Sequence, residues 1–143
     1  MKKGKILVVD DNKGIRDALK ILLGSCFAQV QTIPSPTTLM TTTEEMMPDV
    51  ILLDMNFKTD INSGNEGLYW LSEIKNRWPE MPVVLFTAYA DIALAVEGMK
   101  RGASDFIVKP GDNAKLIETL TSIRDRKDEN KKGTAPAAGP QMF

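Results

Sequence analysis

The stretch PDVILLDMN, residues 48–56, contains four consecutive apolar residues followed by a single acidic residue, Asp54. A run this short and this apolar is typical of a strand that is buried on both faces, as in a parallel sheet. The carboxyl ends of such strands form the mouth of the ligand crevice in open α/β folds. We therefore predict that Asp54 lies at a binding crevice, where its carboxylate could act as a nucleophile.

Three other short apolar runs are of the same kind, and each ends in polar residues. These runs and the polar residues that follow them are 6–9 with Asp10 and Asp11, 83–86 with Thr87, and 106–108 with Lys109. Residues 28–33 predict a further strand with weak alternation. Because the carboxyl ends of parallel strands meet at one edge of a sheet, these polar residues are expected to converge with Asp54.

Between the strands, apolar residues recur at helical spacing and predict five helices. The helices span about residues 13–23, 36–47, 68–78, 92–99 and 113–123, with caps predicted at Asn12, Ser35, Asp91 and either Asp112 or Asn113. Strands that alternate with helices five times call for a parallel sheet with right-handed crossovers and helices on both faces. The predicted fold class is therefore α/β.

The carboxyl-terminal end of the chain has a different composition. From Arg124 the apolar helix face is lost, and the sequence DENKKGTAPAAGPQMF is rich in charge, Gly, Ala and Pro. Such a composition is typical of a linker or a disordered end. We predict one domain over residues 1–128 and a linker or disordered tail over residues 129–143, which favours a domain excised from a longer protein.

The overall composition excludes several classes of function. The net charge of −1 gives no general basic field to attract nucleic acid or an anionic membrane. The absence of histidine excludes histidine triads, histidine metal sites and a phosphohistidine carrier. The single cysteine, Cys26, excludes an intrachain disulfide and favours a reduced, cytoplasmic compartment. The apolar run near the N-terminus is too short for a signal peptide or a membrane span.

The predicted cluster has the chemistry of phosphoryl transfer. Three carboxylates that converge repel one another, and each raises the pKa of the others. A divalent cation removes this conflict, and magnesium is satisfied by two carboxylates, one backbone carbonyl and several waters. Lys109 would add a point charge for the phosphoryl oxygens, and Thr87 a hydroxyl donor. Asp54 would then serve as the nucleophile, because this catalysis consists of positioning and electrostatics.

At these strand ends the chain resembles the receiver domain of two-component response regulators. The resemblance covers about residues 4–127 and is carried by Asp10-Asp11, Asp54, Thr87-Ala88 and Lys109-Pro110. It implies a flavodoxin-like (βα)5 fold, with a doubly wound sheet of five parallel strands in the order 2-1-3-4-5. It also implies a signalling switch in which a sensor histidine kinase donates a phosphoryl group to Asp54.

The resemblance implies a magnesium site as well. Asp11, Asp54 and the backbone carbonyl of Asn56 would bind Mg²⁺, and Asp10 would assist, largely through water. The protein would then be no enzyme in the usual sense, because phosphoryl transfer would be limited to its own Asp54 and to slow autodephosphorylation.

The remaining implied roles concern the response to the phosphoryl group. Thr87 and Lys109 would contact it, and the bond between Lys109 and Pro110 would be cis. Thr87 and Phe106 occupy the switch positions of the family, although core packing explains Phe106 equally well. Tyr89 would stand beside the path of the attacking water and slow loss of the phosphate.

The segment DIALAVEGMKRGASDFIVKP, residues 91–110, is similar to receivers of the NtrC class, which precede an ATPase domain that acts on sigma-54 RNA polymerase. This similarity implies ATPase and DNA-binding domains outside this chain, with no direct contact of the receiver with nucleic acid or membrane. Helix four, strand five and helix five are where receivers of this family commonly read out their state, and the resemblance implies a homodimer on activation. The basic residues there either form a solvated face or belong to a dimer surface: Lys100, Arg101, Arg124 and Arg126.

One departure from the family pattern lies directly after Asp54. The loop that leads to Gly67 is about five residues longer than is usual, and Phe57-Lys58 stands where the family often has Met-Pro. The segment 57–67 is either a flap or partner contact beside the site, or a tolerated surface insertion, because a longer loop costs little closure entropy.

Two other functions compete with the signalling switch. One is a Mg²⁺-dependent phosphohydrolase with an aspartyl nucleophile. Such enzymes usually place a second acid two residues after the nucleophile, where this chain has Asn56, which cannot donate the proton. The other is a degenerate receiver that only binds partners, against which the complete acidic set argues.

Overall fold

The structure is a computed structural model that describes residues 2–55, 66–88, 91–109 and 112–132, with only the backbone described for residue 66 and residues 127–132. In these ranges strands and helices alternate along the chain. The elements are β1 (Lys5–Val9), α1 (Lys13–Leu23), β2 (Gln29–Ile33), a 3₁₀-helix (Pro36–Thr38), α2 (Leu39–Met46), β3 (Val50–Asp54), α3 (Glu66–Arg77), β4 (Val83–Ala88), α4 (Ile92–Lys100), β5 (Asp105–Lys109) and α5 (Asn113–Lys132).

The five strands form one parallel sheet in the order β2-β1-β3-β4-β5. The predicted α/β fold and its strand order are therefore confirmed. β3 lies at the centre, and all five of its residues are buried, as its unbroken apolar run predicts. Crossover helices must cover both faces of such a sheet, since its side chains alternate between them.

Two apolar clusters fill the two sides of the sheet. Leu7, Ile51 and Leu85 point to the side of α2 and α3, and Val8, Leu52 and Val84 point to the side of α1 and α5. The helices complete the clusters with buried side chains at helical spacing. Those side chains are Leu39 and Met46 of α2, Leu68, Leu71 and Ile74 of α3, Leu19 and Leu23 of α1, and Leu116, Leu120 and Ile123 of α5.

The helix starts agree only in part with the sequence prediction. Asn12 caps α1, because its Oδ1 accepts from the Ile15 N–H at 3.0 Å, and Asp112 caps α5 by accepting from the Ala114 N–H at 2.9 Å. Ser35 caps the 3₁₀-helix that leads into α2. Asp91 occupies the cap position of α4, but its side chain makes no capping hydrogen bond, so that prediction was wrong.

The last helix is longer than the apolar pattern predicts. The last buried side chain among those described, which reach residue 126, is Ile123, yet α5 continues to Lys132 and includes residues 129–132 of the predicted tail. The division into a domain and a linker stays a prediction, and residues 133–143 lie outside the described part of the chain. No helix in the described ranges is long and apolar enough to cross a membrane.

Candidate functional site

The sheet brings four predicted site residues to its carboxyl edge. Asp10 directly follows β1, and Asp54 and Lys109 end β3 and β5. Val9 pairs with Leu53 in the sheet register, so the next residues, Asp10 and Asp54, lie side by side on neighbouring strands. Thr87 is the fifth residue of β4. The convergence expected from the strand ends is therefore present in the structure.

Asp10, Asp11 and Asp54 form a compact acidic cluster. One carboxylate oxygen from each residue lies within 4.8 Å of the others. Asp10 and Asp54 are buried, at 0% and 1% relative exposure, whereas Asp11 is partly exposed. Buried carboxylates this close repel one another and are costly to ionise unless a cation compensates them.

Lys109 supplies part of that compensation. Its Nζ donates to Asp54 Oδ1 at 2.9 Å and to Asp10 Oδ2 at 3.2 Å, and it lies 4.9 Å from the centre of the Phe86 ring. Burial alone would lower the pKa of Lys109. The hydrogen bond and charge of Asp54, followed by those of Asp10, outweigh burial and raise that pKa above its ordinary value. Lys109 is therefore held as a cation between two buried carboxylates.

Asp10 is also tied to the turn between β1 and α1. Its Oδ1 accepts from the Asn12 N–H at 2.9 Å, and its backbone carbonyl accepts from Arg16 Nη1 at 2.9 Å. The sequence prediction missed Arg16. The available signal was a basic residue near the start of a helix, where the helix dipole disfavours positive charge.

Thr87 lies at the same edge, and its hydroxyl makes two long contacts with backbone carbonyls. The residue is fully buried, and its Oγ1 lies 3.4 Å from the Ala88 carbonyl oxygen and 3.5 Å from the Asp91 carbonyl oxygen. These are long hydrogen bonds to the turn that begins α4. A hydroxyl held this weakly could reorient toward a new acceptor at the site.

The cleft above the cluster has a volume of ≈ 550 Å³ and suits a small hard cation with an anionic ligand. Its described lining consists of Asp10, Asp11, Asn12, Lys13, Gly14, Ile15, Asp54, Ala88 and Lys109. Carboxylate oxygens are the donors that magnesium prefers. The partly buried Lys109 ammonium pairs with only two of these three carboxylates, Asp10 and Asp54, among the described contacts. On its donor chemistry the cluster could therefore hold Mg²⁺.

Comparison with known proteins identifies the family of the chain. A family model described as "Response regulator receiver domain" matches residues 6–121. The chain belongs to this family. The receiver is similar to a crystal structure of the N-terminal signal receiver domain of a response regulator from Bacteroides fragilis, with 54% identity and a TM-score of 0.78 over 86% of this chain and 98% of that one.

The receiver is also similar to longer transcription regulators. It is 29% identical to the DNA-binding transcriptional regulator NtrC of Klebsiella pneumoniae over 98% of this chain and 29% of that protein. It is 32% identical to the transcriptional regulatory protein FixJ of Azorhizobium caulinodans over 85% of this chain and 56% of that protein. The chain thus spans less than two thirds of these relatives.

Phe106 of the receiver stands opposite Leu85 in the sheet register. It is partly buried and packs against the cluster on the side of α2 and α3. A partly buried ring in contact with the core fits both a packing role and a ring that can turn. Its role as a switch therefore stays a prediction.

Several predicted positions of the receiver lie outside the described residues, namely Asn56, Tyr89, Pro110 and residues 57–65. Gly67, where the long loop ends, is described and buried. A Cβ added to Gly67 would lie 2.9 Å from Met55 Cα and 2.8 Å from Met55 Sδ. The start of α3 therefore packs directly against the residue after Asp54, at a distance that only glycine permits.

Proposed function

We propose that this receiver is a phosphorylation switch in which Asp54 accepts a phosphoryl group from a sensor histidine kinase. The observation that carries this proposal is the contact between the buried Asp54 carboxylate and Lys109 Nζ inside an acidic cluster. A carboxylate buried at the end of a central strand contributes little to stability. Its position at an accessible cleft favours a role in chemistry.

The phosphoryl transfer balances with the groups of this chain. An Asp54 carboxylate oxygen attacks phosphorus, an O–P bond forms, and the N–P bond of the donor phosphohistidine breaks with its electron pair on the imidazole. Lys109 already contacts Asp54 Oδ1, so its ammonium lies beside the phosphoryl oxygens as the acyl phosphate forms. Fixed charge of this kind stabilises the transition state without reorganisation.

Metal binding is part of the same proposal. Asp11 and Asp54 would hold Mg²⁺ together with the backbone carbonyl of Asn56, and Asp10 would assist through water. When bound, the metal would supply positive charge for the phosphoryl oxygens. Asp10 suits an assisting role, because both of its carboxylate oxygens already accept hydrogen bonds from Asn12 and Lys109.

The output is proposed by analogy with the longer relatives. Thr87 would turn its hydroxyl from the α4 turn toward the phosphoryl group, and Phe106 would follow by turning inward. The surface of α4, β5 and α5 would then change and favour a homodimer. The NtrC-like and FixJ-like relatives favour an attached domain that regulates transcription, with the sigma-54 type as the finer proposal.

The proposal is tested by incubation with acetyl phosphate and Mg²⁺, followed by intact-mass measurement. We expect one added phosphoryl group on the parent and none on Asp54→Asn, which removes the nucleophile but keeps its size. Asp49→Asn, at the opposite edge of the sheet, serves as the matched control and should be labelled like the parent. A label that persists in Asp54→Asn, or its absence from the parent at every Mg²⁺ concentration, contradicts the proposal.

A further inference from the structure

Arg16 reaches back from α1 to the end of β1. It is the fourth residue of the helix, and its Nη1 donates to the Asp10 backbone carbonyl at 2.9 Å. Side chains of a helix lean toward its N-terminus, so an arginine in this position can reach the preceding strand end. Arg16 and this hydrogen bond are partly buried, so the bond is shielded in part from competing water.

The hydrogen bond from Arg16 is one of four hydrogen bonds that the described residues make with Asp10. The Asp10 N–H donates to the Ile33 carbonyl at 3.1 Å, one carboxylate oxygen accepts from the Asn12 N–H, and the other accepts from Lys109. These contacts join Asp10 to β2, to the β1–α1 turn and to β5. Arg16 provides the link from Asp10 to the body of α1.

The helix dipole by itself does not favour a cation at this place in a helix. The N-terminal end of a helix carries partial positive charge, which favours acidic rather than basic side chains. The first turn of α1 contains no acidic residue, and the nearby negative charge comes from Asp17 and the acidic cluster. A role in fixing the turn explains the position of Arg16, because a long side chain with several donors is needed to reach the Asp10 carbonyl.

We propose that Arg16 is a positioning residue for the acidic cluster. By holding the Asp10 carbonyl, it fixes the β1–α1 turn so that the carboxylate of Asp11, the next residue, stays within reach of Asp54. This inference rests on the proposed function, because its consequence is a properly placed pair of magnesium ligands. Arg16 touches none of the reacting atoms and acts through the backbone.

Two roles for Arg16 predict opposite effects on metal affinity. If Arg16 only added positive charge near the cluster, its removal would tighten Mg²⁺ binding. If Arg16 positions the turn, its removal weakens Mg²⁺ binding although a repulsive charge is lost. For Arg16→Gln we expect about a five- to tenfold higher Kd for Mg²⁺, at the low end of the effect of residues that orient metal ligands.

The experiment measures Mg²⁺ binding by calorimetric titration of the unphosphorylated protein and amide exchange of Asn12 by NMR. Lys20→Gln, an exposed basic residue on the same helix, removes the same charge and should leave both readouts unchanged. Arg16→Lys should recover part of the affinity, because lysine keeps one donor. Exchange of the Asn12 N–H, which donates to Asp10, should become faster in Arg16→Gln, and labelling by acetyl phosphate should need more Mg²⁺ but reach the parent maximum.

The possible outcomes separate the inference from the function on which it rests. Weaker Mg²⁺ binding in Arg16→Gln, with Lys20→Gln unchanged, supports the positioning role. Equal or tighter binding, with a parent that binds Mg²⁺ and is labelled, overturns the role of Arg16 and leaves the proposed function standing. A parent that neither binds Mg²⁺ nor accepts the phosphoryl group overturns the proposed function itself.

Discussion

The two edges of the sheet each carry a cleft, and the two clefts are similar in size. The cleft at the carboxyl edge measures ≈ 550 Å³ and contains the acidic cluster. The cleft at the amino edge measures ≈ 600 Å³, and its lining consists of Lys3, Gly4, Lys5, Ala28, Gln29, Met47, Asp49 and Arg124. Volume therefore does not identify the functional edge.

The charges at the amino edge are used for structure. Arg124 donates to the Cys26 carbonyl at 2.7 Å and to the Lys3 carbonyl at 3.2 Å, and it stacks on the Phe27 ring. Its ionic partner, Asp125, is half-exposed, and so is the Lys3 side chain that also pairs with Asp125. Ion pairs exposed to this degree contribute little and cost little.

The charges at the carboxyl edge differ in burial and in balance. Asp10 and Asp54 are buried to within 1% of full burial, and the cation that pairs with both of them is the partly buried Lys109. Removing charged groups from water is expensive, so an incompletely compensated cluster lowers stability. What distinguishes the two clefts is therefore the buried negative charge of Asp10 and Asp54 at the carboxyl edge. A divalent cation can compensate this charge and then accompany a phosphoryl group.

The largest effect should come from Lys109→Met, which removes the ammonium and leaves both carboxylates buried. We expect the free energy of unfolding to fall by about 2–4 kcal/mol in urea with EDTA, below the usual cost of breaking a buried pair because a carboxylate can bind a proton. The matched change at the amino edge is Lys5→Met, which removes one hydrogen bond to the Met46 carbonyl from an exposed residue. That change should cost about 1 kcal/mol or less. Equal losses at both edges would refute the distinction.

Added Mg²⁺ should stabilise the protein through the carboxyl edge alone. At about tenfold excess over its Kd, a ligand of the native state raises the free energy of unfolding by about 1.4 kcal/mol. We expect this gain for the parent and for Asp49→Asn at the amino edge, and little of it for Asp11→Asn. Urea unfolding with and without Mg²⁺ measures the gain. If Asp11→Asn keeps the full gain, Asp11 is no magnesium ligand.

The sequence predicts the carboxyl edge well because its evidence is local. Each buried strand ends in its own polar residue, and a parallel sheet necessarily gathers such ends, so Asp10, Asp54 and Lys109 could be assigned without coordinates. Arg16 could not be assigned, because its role depends on how closely α1 begins behind β1. That distance is set by the folded turn, and the residue pattern alone does not predict it.

The sequence predicts the amino edge poorly for a related reason. Arg124 lies where the apolar face of α5 ends, which predicts a solvated residue, yet its side chain is only 11% exposed. The guanidinium lies over the Phe27 ring at 5.0 Å, a contact between residues almost a hundred positions apart. Long side chains of this kind bury their methylene groups while their charged ends donate hydrogen bonds to distant carbonyls. Hydrophobic periodicity does not predict such burial, because arginine counts as a polar residue.

The smallest effect concerns alkaline pH and contrasts a lysine from each edge. The pKa of Lys109 is raised, so its stabilising contribution is fully present below the ordinary value of 10.5 and is lost as pH rises through the folded-state pKa, above 10.5. Burial lowers the pKa of Lys75, which donates to the Met81 carbonyl just before β4. Its charged form therefore disfavours the fold, and stability rises with pH just below 10.5. The stability that Lys109 adds relative to Lys109→Met should therefore stay constant up to about pH 10 and shrink above it, whereas the parent should gain stability relative to Lys75→Met as pH rises toward 10.5. Urea midpoints between about pH 9 and pH 11.5 measure both differences, and the same slope for both lysines would mean that burial, rather than paired carboxylates, governs the carboxyl edge.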